Sequence, residues 1–305
     1  MSAVIGLGLA ALGRPGYINL GHGEDVSDAS VDGMEEAAHE VLEAAYAAGV
    51  RHFDAARSYG CAEAFLASWL RRREPEGVVI SSKWGYRYTA GWRTHAERHE
   101  VKDLSAAHLR KQWQETEALL GRWLALYQIH SATLDSGVLE DAEVGEELAR
   151  LRAGGIRIGL STSGAEQAAT IERALELGGF DEVQATWNLH ERSAGAALAA
   201  AHAAGLQVYV KEALANGRLT PRGADPRLAA AAAERGVAED QLALAAALAQ
   251  PWADVVLSGA ATVAQLASNL DARGLEWHDA AERELAPLAE EPDAYWKRRS
   301  QLPWN

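Results

Sequence analysis

The stretch SAAHLRKQWQETEALLGRWLALYQIH, residues 105–130, decides the fold. Its first part, Ser105 to Gly121, has helical period and closes on a glycine, the common way for a helix to stop. Its second part, Leu124 to His130, is a short apolar run of strand type. Another strand candidate, Val78 to Lys83, precedes it, so strand, helix and strand follow one another in the manner of a βα unit. Working outward, the same alternation recurs along the whole chain. Strand candidates are Ile5 to Leu9 and His52 to Ala56 on one side, and Ile156 to Ser161, Glu182 to Trp187, Gln207 to Lys211 and Asp254 to Ser258 on the other. Helix candidates such as Met34 to Ala48 lie between them. Eight strands in strict alternation imply the α/β class and a closed single-domain (β/α)8 TIM barrel rather than an open doubly wound sheet. The Ala-rich segment Leu228 to Ala249 reads as helices stopped by Pro251, because Ala is the best helix former.

Length and composition agree. No Pro/Gly/Ser-rich linker divides the 305 residues, and α/β barrels routinely run past the usual domain size, so one domain over 1–305 is expected. Its two additions are a long loop, 84–103, and a C-terminal tail, 292–305. Lys and Arg number 29 against 43 Asp and Glu, a net charge of −14 that argues against a nucleic-acid or anionic-membrane partner. The single cysteine, Cys61, can neither form an internal disulfide nor hold zinc with other thiolates, which fits a reducing, cytoplasmic setting. The apolar run Val4 to Leu12 lacks a basic flank and is too short to span a bilayer. Monomer and homo-oligomer are equally compatible with these features.

Barrel enzymes place their chemistry at the C-terminal ends of strands. That filter selects Asp54 at the end of the second strand and Tyr59 just past it, Lys83 at the end of the third and His130 at the end of the fourth. Together they make a proton donor: a phenol is a weak acid at neutral pH, and an adjacent ammonium such as Lys83 pulls its pKa down. Asp54 is the available counter-ion for a partly buried Lys83, and His130 can hold a carbonyl oxygen or share the proton. His95 and His99, four apart in the long loop, have a metal-like spacing but no third ligand, so no metal site is expected.

With these residues in place, the sequence resembles the aldo-keto reductase superfamily. The match runs in order through the opening Gly-Leu-Gly strand, Phe53-Asp54 with Tyr59-Gly60 and Glu63, Lys83, His130, Arg157 to Ser161, Val183-Gln184, and Gly259-Ala260 with Gln265-Leu266 and Asn269. The resemblance implies a barrel that binds a nicotinamide dinucleotide across its mouth and transfers hydride to or from a small carbonyl or sugar substrate. Tyr59 then gives or takes the proton, and Tyr59 with His130 stabilises the oxyanion. Cofactor contacts are implied for Ser161, Thr162, Gln184, Lys211, Gly259, Ala260, Gln265 and Asn269.

The sequence departs from the family pattern at three places. Thr162 stands where an Asn usually grips the carboxamide. Lys211 stands where many members have an aromatic that stacks on the nicotinamide, and it can pair with Glu212 or with a cofactor phosphate. Gly259 and Gln265 occupy the basic positions that would hold an adenosine 2′-phosphate, so NADP(H) is the family default and NAD(H) the alternative. Trp84, Tyr17 and Trp296 are the expected substrate contacts. Trp187, like Trp69, Trp113, Trp123 and Trp252, is assigned to packing. The Trp-bearing tail either closes the mouth or docks on the wall. Two other functions fit the same residues less fully: a cofactor-binding regulatory barrel without turnover, and an isomerase or lyase with Lys83 as Schiff base.

Overall fold

The computed structural model describes residues 3–305. Ten strands occur in it: β1 Val4–Gly8, β2 His52–Asp54, β3 Val79–Trp84, β4 Tyr86–Tyr88, β5 Glu100–Lys102, β6 Leu124–Ala132, β7 Arg157–Thr162, β8 Glu182–Thr186, β9 Gln207–Lys211 and β10 Val255–Ser258. Eight of them close a barrel in the order β1, β2, β3, β6, β7, β8, β9, β10, and every pairing in it is parallel. All eight expected strands are therefore present, and the (β/α)8 barrel is the fold.

Helices return the chain between successive strands, and polar caps set where they begin. Ser30, Ser105, Asp141, Asp225 and Thr262 each accept a backbone N–H from the first turn of the helix that follows. The Ala-rich segment is two helices, Pro226–Arg235 and Glu239–Leu248, parted at Gly236, whose φ of 64° ends the first. Two apolar layers result. A large one fills the space between sheet and helices, and Leu126, Tyr209, Val255 and Leu257 form a second inside the barrel. Trp187 belongs to the outer layer, edge-on to Trp252 at 5.8 Å.

The two additions occupy the C-terminal face. In the long loop, β4 and β5 pair as an antiparallel hairpin beside the third strand. The tail forms the helix Pro292–Ser300, which plants Tyr295 in the core, and then runs back over the mouth. There Asn305 exchanges two backbone hydrogen bonds of 3.1 Å with Tyr17 in the loop after β1. The tail thus both docks and closes.

Two glycines let the first loop interlock with the loop that carries Tyr59. A Cβ on Gly13 would sit 2.2 Å from the Tyr59 carbonyl oxygen, while one on Gly60, at φ 60°, would sit 2.4 Å from the Gly13 carbonyl. Gly13→Ala is expected to lower unfolding free energy by about 1–3 kcal/mol in a denaturant titration, since overpacked contacts must shift backbone. An unchanged unfolding midpoint would refute that close approach.

Candidate active site

Strand register assembles the site before any loop does. Asp54 lies opposite Ser81, and Lys83 lies opposite Gln128, so alternation sends Asp54, Ser81, Lys83 and Gln128 into the barrel at its C-terminal end. The Asp54 carboxylate accepts hydrogen bonds from Ser81 at 2.6 Å and from Gln128 at 3.0 Å on one oxygen, and from the Lys83 ammonium on the other. Lys83 also donates to the Ala55 carbonyl at 3.1 Å. Both members of the pair are about 2% exposed or less. Charges buried this deeply persist only when paired and hydrogen-bonded, and this pair is both.

Tyr59 and His130 sit above the pair. The Tyr59 hydroxyl is 3.4 Å from His130 Nε2, and Ser58 Oγ is 3.4 Å from Nδ1 on the far side of the ring. Such spacings leave Tyr59 and His130 free to converge on a third oxygen between them. Lys83 Nζ lies 5.2 Å from the centre of the Tyr59 ring. Burial, followed by the negative charge of Asp54, pushes the Tyr59 phenol well above its ordinary value. The depression by Lys83 that the sequence invites does not prevail, because Asp54 answers that charge at close range. Burial first, then the positive charge of Lys83, holds His130 well below the usual imidazole range, so the ring is neutral.

Both side chains face a cavity of about 680 Å³ lined by residues at or just past the C-terminal ends of the barrel strands. That volume suits an elongated organic ligand. At the Tyr59 end its roof is aromatic and comes from three distant segments. Trp304 of the tail stacks on His99 of the long loop at 3.8 Å and meets Tyr17 edge-on at 6.2 Å. The Arg14 guanidinium sits beneath them, 4.8 Å from the Trp304 ring, 4.9 Å from Tyr17 and 5.2 Å from Tyr59, and is tied to Glu100 at 3.0 Å. His99 is thus a stacking partner.

Among the expected binding residues, Gln184, Lys211, Gly259, Ala260, Gln265, Asn269 and Tyr17 line this cavity. Gln184 Nε2 is buried and has no hydrogen-bond partner. Lys211 donates to Thr186 Oγ1 at 2.7 Å and lies 3.9 Å from Glu212, which Arg299 of the tail helix grips with two nitrogens. Burial pushes the Lys211 ammonium down to about 8, against the opposing pull of Glu212. Asn269 is spent on Ser258 at 2.7 Å and Asp240 at 2.8 Å.

Four of the expected residues lie away from this cavity. Trp84 is fully buried in the outer apolar layer and does not line the cavity, because alternation from the inward Lys83 turns it toward the helices. Trp296 also misses the cavity; it packs on the core and puts its ring 5.6 Å from the Lys211 ammonium. Ser161 uses its hydroxyl on the Ser131 backbone N–H at 2.9 Å, and Thr162 is fully buried on the opposite strand face, so the wall there is Ser163 instead. Sequence reasoning missed Arg14, Trp304, Ser81 and Gln128. Inward register with Asp54 and Lys83 could have found the last two.

A parallel barrel with a buried carboxylate–ammonium pair beneath a phenol and an imidazole at its mouth defines a class of barrel oxidoreductases. The family comparison agrees: the model of the aldo/keto reductase family matches residues 5–284. The chain belongs to the aldo/keto reductase family. Similar solved structures include the holo form of aldo-keto reductase AKR11C1 from Bacillus halodurans, at 20% identity over 94% of this chain and 92% of that one, with a TM-score of 0.73. Glycerol dehydrogenase AKR11B4 from Gluconobacter oxydans is 21% identical over 93% and 90%, with a TM-score of 0.71. The Pseudomonas aeruginosa protein PA4992 is 26% identical over 90% and 91%, with a TM-score of 0.65. No curated protein matches.

The cavity fits the nicotinamide dinucleotide that the family implies. The orphaned Gln184 Nε2 is a ready donor for a carboxamide oxygen near Tyr59, and Gly259 leaves a wall with nothing within 4 Å of where a Cβ would be. Removing one charge of the buried pair is costly. Asp54→Asn leaves Lys83 uncompensated and is expected to destabilise the fold by about 3–5 kcal/mol, read by denaturant or thermal unfolding. A loss below about 1 kcal/mol, the scale of an exposed pair, would show the pair to be solvated.

Proposed function

We propose that the protein is an NAD(P)(H)-dependent oxidoreductase that interconverts a small carbonyl compound, an aldehyde, ketone or sugar, with its alcohol. The observation that carries the reading is the convergence of the Tyr59 hydroxyl and His130 Nε2 on one cavity above the buried Asp54–Lys83 pair. When bound, the dinucleotide supplies or accepts the hydride. Gln184 orients the carboxamide from the eighth strand, and Gly259, Ala260, Gln265 and Asn269 form the far wall of the binding groove. The sequence resemblance makes NADP(H) the default choice.

Tyr59 does the proton work. Its phenol is held in the protonated form, so it is a loaded donor to a carbonyl oxygen in reduction, while in oxidation the group that takes the hydroxyl proton is its phenolate. Neutral His130 contributes a ring N–H to the same oxygen, and two fixed donors stabilise the developing oxyanion without reorganisation. Lys83 and Asp54 hold Tyr59 from below and contribute no net charge. Lys83 itself does not line the cavity and is committed to Asp54 and Ala55, which counts against a Schiff base there. A cytosolic location, with Cys61 a free thiol, completes the proposal.

Tyr59→Phe is expected to lower kcat for carbonyl reduction by about 10²- to 10⁴-fold, the usual worth of a positioned acid, with dinucleotide affinity little changed. Turnover close to wild type would remove Tyr59 from its role. The pH profile supplies a second check. His130 is already deprotonated below its ordinary pKa and Tyr59 stays protonated above its own. The reduction rate is therefore expected to show no step across roughly pH 6–7, where an unperturbed imidazole titrates. A step there that vanishes in His130→Gln would contradict the neutral ring.

A further inference from the structure

The cavity is asymmetric in charge along its length, and the asymmetry bears on which dinucleotide it takes. Its Tyr59 end holds Arg14, Lys211 and Arg299. A dinucleotide with its reacting ring beside Tyr59 must place its adenosine at the other end, among Gln265, Ser268 and Asn269. Arg222 is the only cation among the described residues lining that end, and it is already engaged. Two of its nitrogens hold the two Asp25 carboxylate oxygens at 2.7 Å each, and exposed Glu24 lies 3.8 Å away. Against the upward push of burial, Arg222 and the nearby Gln265 side chain hold the Asp25 carboxyl below its usual range, so it stays charged. Asp240 adds a second carboxylate, hydrogen-bonded to Asn269 at 2.8 Å.

We propose that the Asp25–Arg222 pair makes this site selective for a dinucleotide with a free adenosine ribose, NAD(H), over its 2′-phosphorylated form. This rests on the oxidoreductase reading above and replaces its default cofactor. A 2′-phosphate brings about two negative charges and needs an uncommitted guanidinium or ammonium beside it. Here it meets Asp25 and Asp240, while the one guanidinium is neutralised in a bidentate pair. A ribose hydroxyl meets the opposite situation: a carboxylate is the group that accepts its hydrogen bond, and Gln265 is an uncharged neighbour. Asp25 comes from the loop after the first strand and Arg222 from the loop after β9. The two loops are joined across the groove by further bonds, Arg222 to the Leu20 carbonyl at 3.1 Å and Leu20 N–H to the Asn216 carbonyl at 3.0 Å. The pair is therefore held in place by the protein's own bonds.

Calorimetric titration of the full chain with NADH and with NADPH at one ionic strength tests the proposal without catalysis. Wild type is expected to bind NADH about tenfold or more tightly than NADPH. Asp25→Asn, which frees Arg222, and Gln265→Arg, which adds a cation while leaving Asp25 in place, are each expected to shift the ratio toward NADPH by about tenfold. Wild-type binding of NADPH as tight as that of NADH, or tighter, overturns the selectivity and leaves the oxidoreductase reading standing. Binding of neither nucleotide overturns both.

Discussion

The buried Asp54–Lys83 pair is the constraint on which the site depends. A carboxylate and an ammonium inside a barrel cannot exist separately at tolerable cost, so the strands that carry them must be adjacent and in fixed register. Ser81 and Gln128, inward from the neighbouring strands, complete the Asp54 hydrogen bonds and leave the carboxylate one orientation. Lys83 is then fixed under Tyr59. Asp54 answers the Lys83 charge at close range, so the phenol responds to burial rather than to the ammonium beneath it, while burial and the nearby cations, Lys83 first, keep His130 neutral. A neutral acid and a neutral imidazole in an aromatic-roofed chamber suit charge that appears only as the reaction proceeds.

The roof depends on the tail. Bidentate Arg299 joins the tail helix to Glu212 at the end of β9, Asn305 pairs with Tyr17, and Trp304 lies on His99. Those contacts also partition the charge of an acidic protein. Arg14 with Glu100 and Arg299 with Glu212 balance the Tyr59 end, while Arg222 with Asp25 neutralises the other. A chain of net charge −14 therefore meets an anionic ligand with local donors and local cations that are mostly already paired.

The fold was legible because strand and helix periods repeat without interruption, and the candidate tetrad was legible because its residues stand at or just past the ends of three consecutive barrel strands. Side-chain direction at those ends was harder. One step of alternation separates inward Lys83 from outward Trp84, and the same step removes Thr162 from the cavity wall. Contacts between remote loops were not legible at all. Nothing local in the sequence marks Trp304 rather than Trp296 as the roof. Arg14 reads as one more loop cation, and Asp25 and Arg222 are 197 positions apart. The β4–β5 hairpin explains why the long loop is ordered enough to supply His99, although its strands are too short to carry a clear period.

In the proposed reaction hydride crosses this cavity while Tyr59 handles the proton. The most direct measurement is transfer from reduced nicotinamide dinucleotide carrying two deuteriums at C4 to a panel of aldehydes, ketones and sugars, with the alcohol products weighed by mass spectrometry. One deuterium on the carbinol carbon is expected for each cofactor oxidised, and almost none with Tyr59→Phe. Absence of labelled alcohol across the panel, or labelling that survives the substitution undiminished, would contradict it.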